Sequence, residues 1–124
     1  MKKLESATAP DAVGPYSQAI EVDNFVYLSG QLGMNKASGK LEEGIEAQTR
    51  QAFQNISYVL EEANLTMNNI VKVLVLLKDI NDFGTVNTIY AEYFNEPYPA
   101  RSAFAVQDLP LGGLVEIEVI AKKA

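Results

Sequence analysis

The stretch EPYPARSAFAV, residues 96–106, sets a permanent cation between two prolines and a run of small and apolar residues. That cation, Arg101, is one of only two arginines, the other being Arg50. On a strand edge such a residue is a solvated charge or half of an ion pair, because guanidinium groups are rarely buried without a partner. Further along, VEIEV sets Glu116 and Glu118 two residues apart, which in a strand puts both carboxylates on one face. The chain has no His and no Cys. Ser/His/Asp and Cys/His triads, zinc sites built on imidazole or thiolate, an imidazole base and a disulfide framework are therefore excluded. Any chemistry must use Arg, Lys, Asp, Glu, Tyr, Ser, Thr, backbone groups or water.

The 124 residues form a single domain, 1–124, long enough to bury well over half of its unfolded surface without staples. At 48% hydrophobic and 21% charged the composition is that of a soluble globular protein, so metal and disulfides are not needed for folding. MKKLESATAPDA has no apolar stretch behind its lysines and reads as no secretory signal. The longest apolar run, VLVLL at 73–77, is too short to span a bilayer. A cytoplasmic protein without membrane contact is expected. The net charge of −6 argues against a nucleic-acid partner, and the lysine pairs at the two ends read as solvated termini.

The elements that must position Arg101 and Glu116 follow from periodicity. SQAIEVD at 17–23 and FVYLSGQLG at 25–33 read as strands joined by a turn at Asp23-Asn24. Apolar residues at 45, 52, 53, 56, 59, 60 and 63 make a helical stripe. NIVKVLVLLKDI, nearly unbroken in apolarity, reads as a strand covered on both faces. Phe83, Val86, Ile89, Tyr90, Tyr93 and Phe94 recur at helical spacing behind Asp82, a candidate N-cap, and before Pro97. Arg101–Gln107 and Leu114–Lys122 are the closing strands. The order predicts an α+β fold, a mixed sheet with both helices on one face.

In the last strand Val115, Ile117, Val119 and Ala121 form one apolar face, so Glu116, Glu118 and Ile120 point the other way. That second face is either solvated or buried against another subunit with its carboxylates in a cleft.

YPARSAFAVQDLPLGGLVEIEVIA resembles the C-terminal signature of the Rid family, the reactive intermediate deaminases also called YjgF-like proteins. GPYSQAI at 14–20, YLSGQLG at 27–33 and VNTIYAEYF at 86–94 resemble that family's other blocks, in the same order. The resemblance implies a chorismate-mutase-like fold assembled as a homotrimer, with clefts between neighbouring subunits. It implies hydrolysis of small imino and enamino acids released by pyridoxal-phosphate dehydratases to 2-keto acids and ammonia, with no cofactor and no metal. A ligand-binding regulatory protein of the same fold is the alternative function.

Carried over by position, the resemblance implies that Arg101 holds the substrate carboxylate, a role that suits a guanidinium fork. Glu116 matches the acidic residue that positions or activates water. Tyr16, Ser29 and Asn87 match further cleft positions, and Gly30 lets the backbone approach the ligand closely. Many family members have cysteine where this chain has Ala103, whose backbone still reaches the substrate. Each has a simpler alternative: Tyr16 packs a turn, Ser29 bonds to backbone at a strand end, and Asn87 bonds to a neighbouring loop.

Overall fold

The computed structural model describes residues 1–124. In chain order the elements are β1 (Lys2–Leu4), β2 (Ala19–Val22), β3 (Phe25–Leu28), β4 (Gln31–Leu32), β5 (Met34–Asn35), β6 (Lys40–Leu41), α1 (Gly44–Glu61), β7 (Ile70–Leu77), α2 (Phe83–Tyr93), β8 (Ala100–Ala105) and β9 (Val115–Lys122). One sheet runs in the order β1-β2-β3-β9-β7-β8, with β4 also pairing with β9, and β5-β6 is a separate hairpin. Every pairing in the large sheet is antiparallel except β7 with β8. A parallel pair cannot be joined by a tight turn, and α2 is the crossover that joins this one. No helix is long and apolar enough to cross a membrane.

The α+β expectation holds, with both helices on one side of a mixed sheet. Val115, Ile117, Val119 and Ala121 of β9 are buried together with Ala52, Phe53, Ile56, Val59 and Leu60 of α1. Phe53 joins the helices, with its ring centroid 4.5 Å from Tyr93, 5.8 Å from Phe94 and 6.0 Å from Tyr90.

Several expectations need correction. β7 is covered on one face only: Val73, Val75 and Leu77 are buried, whereas Leu74 and Leu76 keep part of their surface. The strand read over 25–33 breaks after Leu28, and pairing resumes in β4 against a different stretch of β9. Asp82 makes no capping bond. Instead the Asp79 side chain accepts from the backbone N–H of Asn81, capping a short 3-10 turn, Ile80–Asp82, that runs into α2. The N-terminal lysines are exposed, but their backbone pairs with β2 and Leu4 is buried, so this end is a strand.

One buried amide ties the helix layer to the strands that carry the site. Asn55 of α1, fully enclosed, donates through Nδ2 to the carbonyls of Leu32 at 3.1 Å and Met34 at 2.9 Å. Between those carbonyls lies Gly33, where an added Cβ would fall 2.3 Å from the Gln48 carbonyl oxygen. Two turns earlier on α1 a second tie is made, since Gln48 Oε1 accepts from the Leu114 N–H at 2.9 Å, just ahead of β9. Asn55→Ala is expected to lower stability by about 2–4 kcal/mol, because the enclosed amide is lost and two partly buried carbonyls lose their donor. Urea unfolding measures this, and a change below about 0.5 kcal/mol would contradict the assignment.

Candidate active site

Arg101 sits on the edge strand β8 in register with Val73, and so on the helix-facing side of the sheet. Because α2 links β7 to β8, it lies across this edge and offers Phe83, Asn87 and Tyr90, spaced four and three residues apart on one helix face. Nη1 of Arg101 donates to Asn87 Oδ1 at 2.7 Å. The guanidinium carbon stands 4.6 Å from the Tyr90 ring centroid and 5.3 Å from that of Phe83. No carboxylate lies within ion-pair distance of it.

The other arginine is its opposite. Arg50 donates to both oxygens of Glu92, at 3.1 and 3.0 Å, and lies 3.5 Å from Glu46. The hydrogen bond with Glu92 raises the Arg50 pKa and lowers that of Glu92. Arg101 is thus neither a solvated charge nor half of an ion pair. It is a half-buried cation held by neutral groups, beside an open hollow of about 430 Å³ lined also by Asn87, Ala91, Tyr98 and Pro99. Two residues on, Ala103 shares this face, in register with Val75 and packed against the core.

Glu116 occupies the other face. It pairs with Leu76 of β7 and Leu32 of β4, between the buried Val115 and Ile117. Its carboxylate lies against Gly30: a Cβ there would be 2.8 Å from Glu116 Oε1. That contact is the close approach for which glycine is required at the break between β3 and β4. Burial, with Glu118 adding repulsion, pushes the Glu116 carboxyl above the usual carboxylate range. A hollow of about 280 Å³ opens beside it, walled by Val13, Tyr16, Leu32, Met34 and Leu111. Leu111 is 72% exposed and holds a left-handed backbone with φ of 59°, a conformation unfavourable for a side chain of its size.

Tyr16 is half exposed on this rim. The loop leading to it is tied down by Gln18, whose Oε1 accepts from Ser6 N at 2.6 Å and whose Nε2 donates to Pro10 O at 2.8 Å. Ser29 donates its hydroxyl to the Ser17 carbonyl at 2.6 Å, the backbone-bonded arrangement its strand-end position allowed. Asn87 bonds to Arg101 rather than to a neighbouring loop.

The residues singled out in the sequence therefore form two groups on opposite faces of the sheet. Arg101, Asn87 and Ala103 are together on one, and Tyr16, Gly30 and Glu116 on the other. In the sequence Phe83 and Tyr90 read only as part of the helix stripe; their spacing, four residues before and three after Asn87, is the signal that places them beside it on one helix face.

The raised Glu116 pKa has a consequence for stability. A carboxyl whose pKa is raised on folding favours the folded chain while protonated, and that contribution is lost as pH rises through the raised value. Glu116→Gln is expected to raise the melting temperature near neutral pH, the gain shrinking to nothing below about pH 4, where the wild type is itself protonated. Melting curves across pH measure this; a neutral-pH loss of stability would contradict it.

The match to known proteins is close over the whole chain. The family model described as Endoribonuclease L-PSP matches residues 6–123. A bovine protein named 2-iminobutanoate/2-iminopropanoate deaminase is 52% identical over 121 residues, 97% of this chain and 88% of its own length. The crystal structure of RidA from an Antarctic Psychrobacter superimposes with a TM-score of 0.95 at 45% identity, covering 98% of this chain and 99% of the other. Escherichia coli TdcF with bound serine matches with a TM-score of 0.95 at 34% identity over the full length of both chains. The two-helix, mixed-sheet fold and these matches agree with the resemblance read from the sequence blocks, and the chain belongs to the Endoribonuclease L-PSP family, the Rid or YjgF family.

Proposed function

We propose that the protein is a 2-iminobutanoate/2-iminopropanoate deaminase, hydrolysing small 2-imino acids to 2-keto acids and ammonia in clefts between the subunits of a homotrimer. The observation that carries this reading is a guanidinium without a counter-ion on one sheet face, and a carboxyl of raised pKa on the other. Neither half can treat a substrate alone. A second copy, setting its Arg101 group against the Glu116 group of the first, completes the cleft and covers the open face. The bovine relative's name supports the reaction, and serine in TdcF supports an amino-acid-like ligand in this fold.

In this mechanism the Arg101 fork holds the substrate carboxylate by two parallel hydrogen bonds, turning the imine carbon toward Glu116. Ionised Glu116 takes a proton from water as the oxygen bonds to the imine carbon and the C=N electrons move to nitrogen. Its raised pKa suits this exchange, because the proton returns readily to the nitrogen of the tetrahedral intermediate. Glu116 then takes the hydroxyl proton and passes it to the amino nitrogen as the C–N bond breaks, so that ammonia leaves, the carbonyl forms and the carboxylate is regenerated. An enamine enters the same sequence after protonation at its β-carbon. Tyr16, Ser29 and Gly30 border the cleft, and the backbone at Ala103 lies beside the carboxylate. No step needs a cofactor or a metal. Pyridoxal-phosphate dehydratases in the cytoplasm release such imines and are the expected source. RNA cleavage, which the family description evokes, fits poorly with a net charge of −6 and no histidine.

Arg101→Ala is expected to abolish accelerated keto-acid release in an assay coupled to a threonine dehydratase while melting like the wild type. Each lost charge-assisted bond costs about 1.5–3 kcal/mol, at least tenfold in activity. Arg101→Lys should also be poor, and Glu116→Gln should bind but turn over slowly. Co-expressing Arg101→Ala with Glu116→Gln tests the shared cleft: random mixing regenerates about a quarter of the sites, whereas a site within one chain regains nothing. Wild-type turnover by Arg101→Ala would overturn the mechanism, and a bound ligand with no hydrolysis would favour the regulatory role.

Side-chain selectivity follows from charge placement. Arg50 is committed to Glu92 and Glu46, and the hollow beside Glu116 holds no cation: its walls are apolar groups, the amides of Gln18 and Gln31, and Asp11. Imines of alanine-like to leucine-like acids should be preferred over those of aspartate or glutamate by at least about tenfold in kcat/KM. Comparable rates would contradict this.

A further inference from the structure

We infer that Phe83 and Tyr90 are positioning residues for the anion site, holding the Arg101 guanidinium by their ring faces so that its charge and its outward N–H groups stay free. The inference rests on the reading of Arg101 as a carboxylate receptor. A flexible cation loses side-chain freedom when it binds, and that cost weakens affinity unless the group is already held. Ion pairing would hold it but would also neutralise it, as happens to Arg50.

Arg101 is held differently. One N–H is used on Asn87 Oδ1, and the remaining restraint comes from the two rings at 4.6 and 5.3 Å, which consume no donor. The rings are themselves fixed. Tyr90 is only 6% exposed, its centroid 4.5 Å from Phe94 and 6.0 Å from Phe53, and Phe83 packs against the same core. The hydroxyl of Tyr90 is buried with no hydrogen-bond partner. Such a group is costly, so the ring face, and not the hydroxyl, is the part of Tyr90 that serves Arg101. Burial also pushes the phenol upward, against the opposing pull of Arg101, and a neutral phenol cannot act as the counter-ion.

The experiment measures binding of 2-oxobutanoate by calorimetry, kcat and KM in the coupled assay, and melting, for Phe83→Leu, Tyr90→Leu and Tyr90→Phe, with Arg101→Ala alongside. The two leucine variants should weaken 2-oxobutanoate binding and raise KM by about tenfold while keeping most of kcat at saturation. Tyr90→Phe should restore binding and melt above the wild type, because it keeps the ring and removes the unpaired hydroxyl. Should Tyr90→Leu not fold, Phe83→Leu carries the test. Unchanged binding in the folded leucine variants, with binding lost in Arg101→Ala, overturns the positioning role alone. Loss of binding in Tyr90→Phe overturns it too, by assigning the effect to the hydroxyl. Wild-type binding by Arg101→Ala overturns the carboxylate reading and the positioning role together.

Discussion

Strand alternation over a sheet with a single helix layer governs this molecule. Side chains of β9 must point alternately to opposite faces, and α1 and α2 cover only one. The covered face takes Val115, Ile117, Val119 and Ala121; the other is left with Glu116, Glu118 and Ile120 beside Leu74 and Leu76 of β7. A face so rich in half-buried apolar side chains is poorly suited to water, yet carboxylates run through it. In the proposed trimer the two properties are reconciled, because a second copy would bury the apolar part and enclose the carboxylate.

The electrostatics follow from that division. On the helix side, the parallel β7-β8 pair brings α2 over the sheet edge, and α2 supplies an amide and two rings to Arg101 but no carboxylate. On the open side, Glu116 is crowded by Glu118 and pressed onto Gly30, so its charge is opposed rather than compensated. A cation without a counter-ion and an anion without a partner are each costly in isolation.

Much of this was legible in the sequence because it rests on local periodicity. The alternation of Val115 to Ala121 gave the faces of β9, and the stripe from Ile45 gave α1. What escaped depends on contacts between distant segments. β1 is two lysines and a leucine, and only pairing with Ala19–Val22 makes it a strand. At the break after Leu28 the Glu116 carboxylate lies against Gly30, a contact between residues far apart in the chain. Asp82 has the composition of an N-cap, but the 3-10 turn capped by Asp79 takes over that role. The sequence blocks singled out Arg101 and Glu116, whereas their opposite faces required the register of β8 on β7 and of β9 on β7.

The division of the site between α2-β8 and β9 with the N-terminal loop also shapes how such a protein can diverge. The Arg101 cradle is embedded in the aromatic core, where most substitutions would disturb Phe53 and its neighbours. The rim beside Glu116, by contrast, includes loop residues such as Val13 and Leu111, exposed and free of core packing. Mutations there carry little penalty for folding, so this rim is open to drift between lineages while the Arg101 cradle is held constant by the core it shares. Evolvability is thereby concentrated in the parts of the cleft that contribute least to the fold.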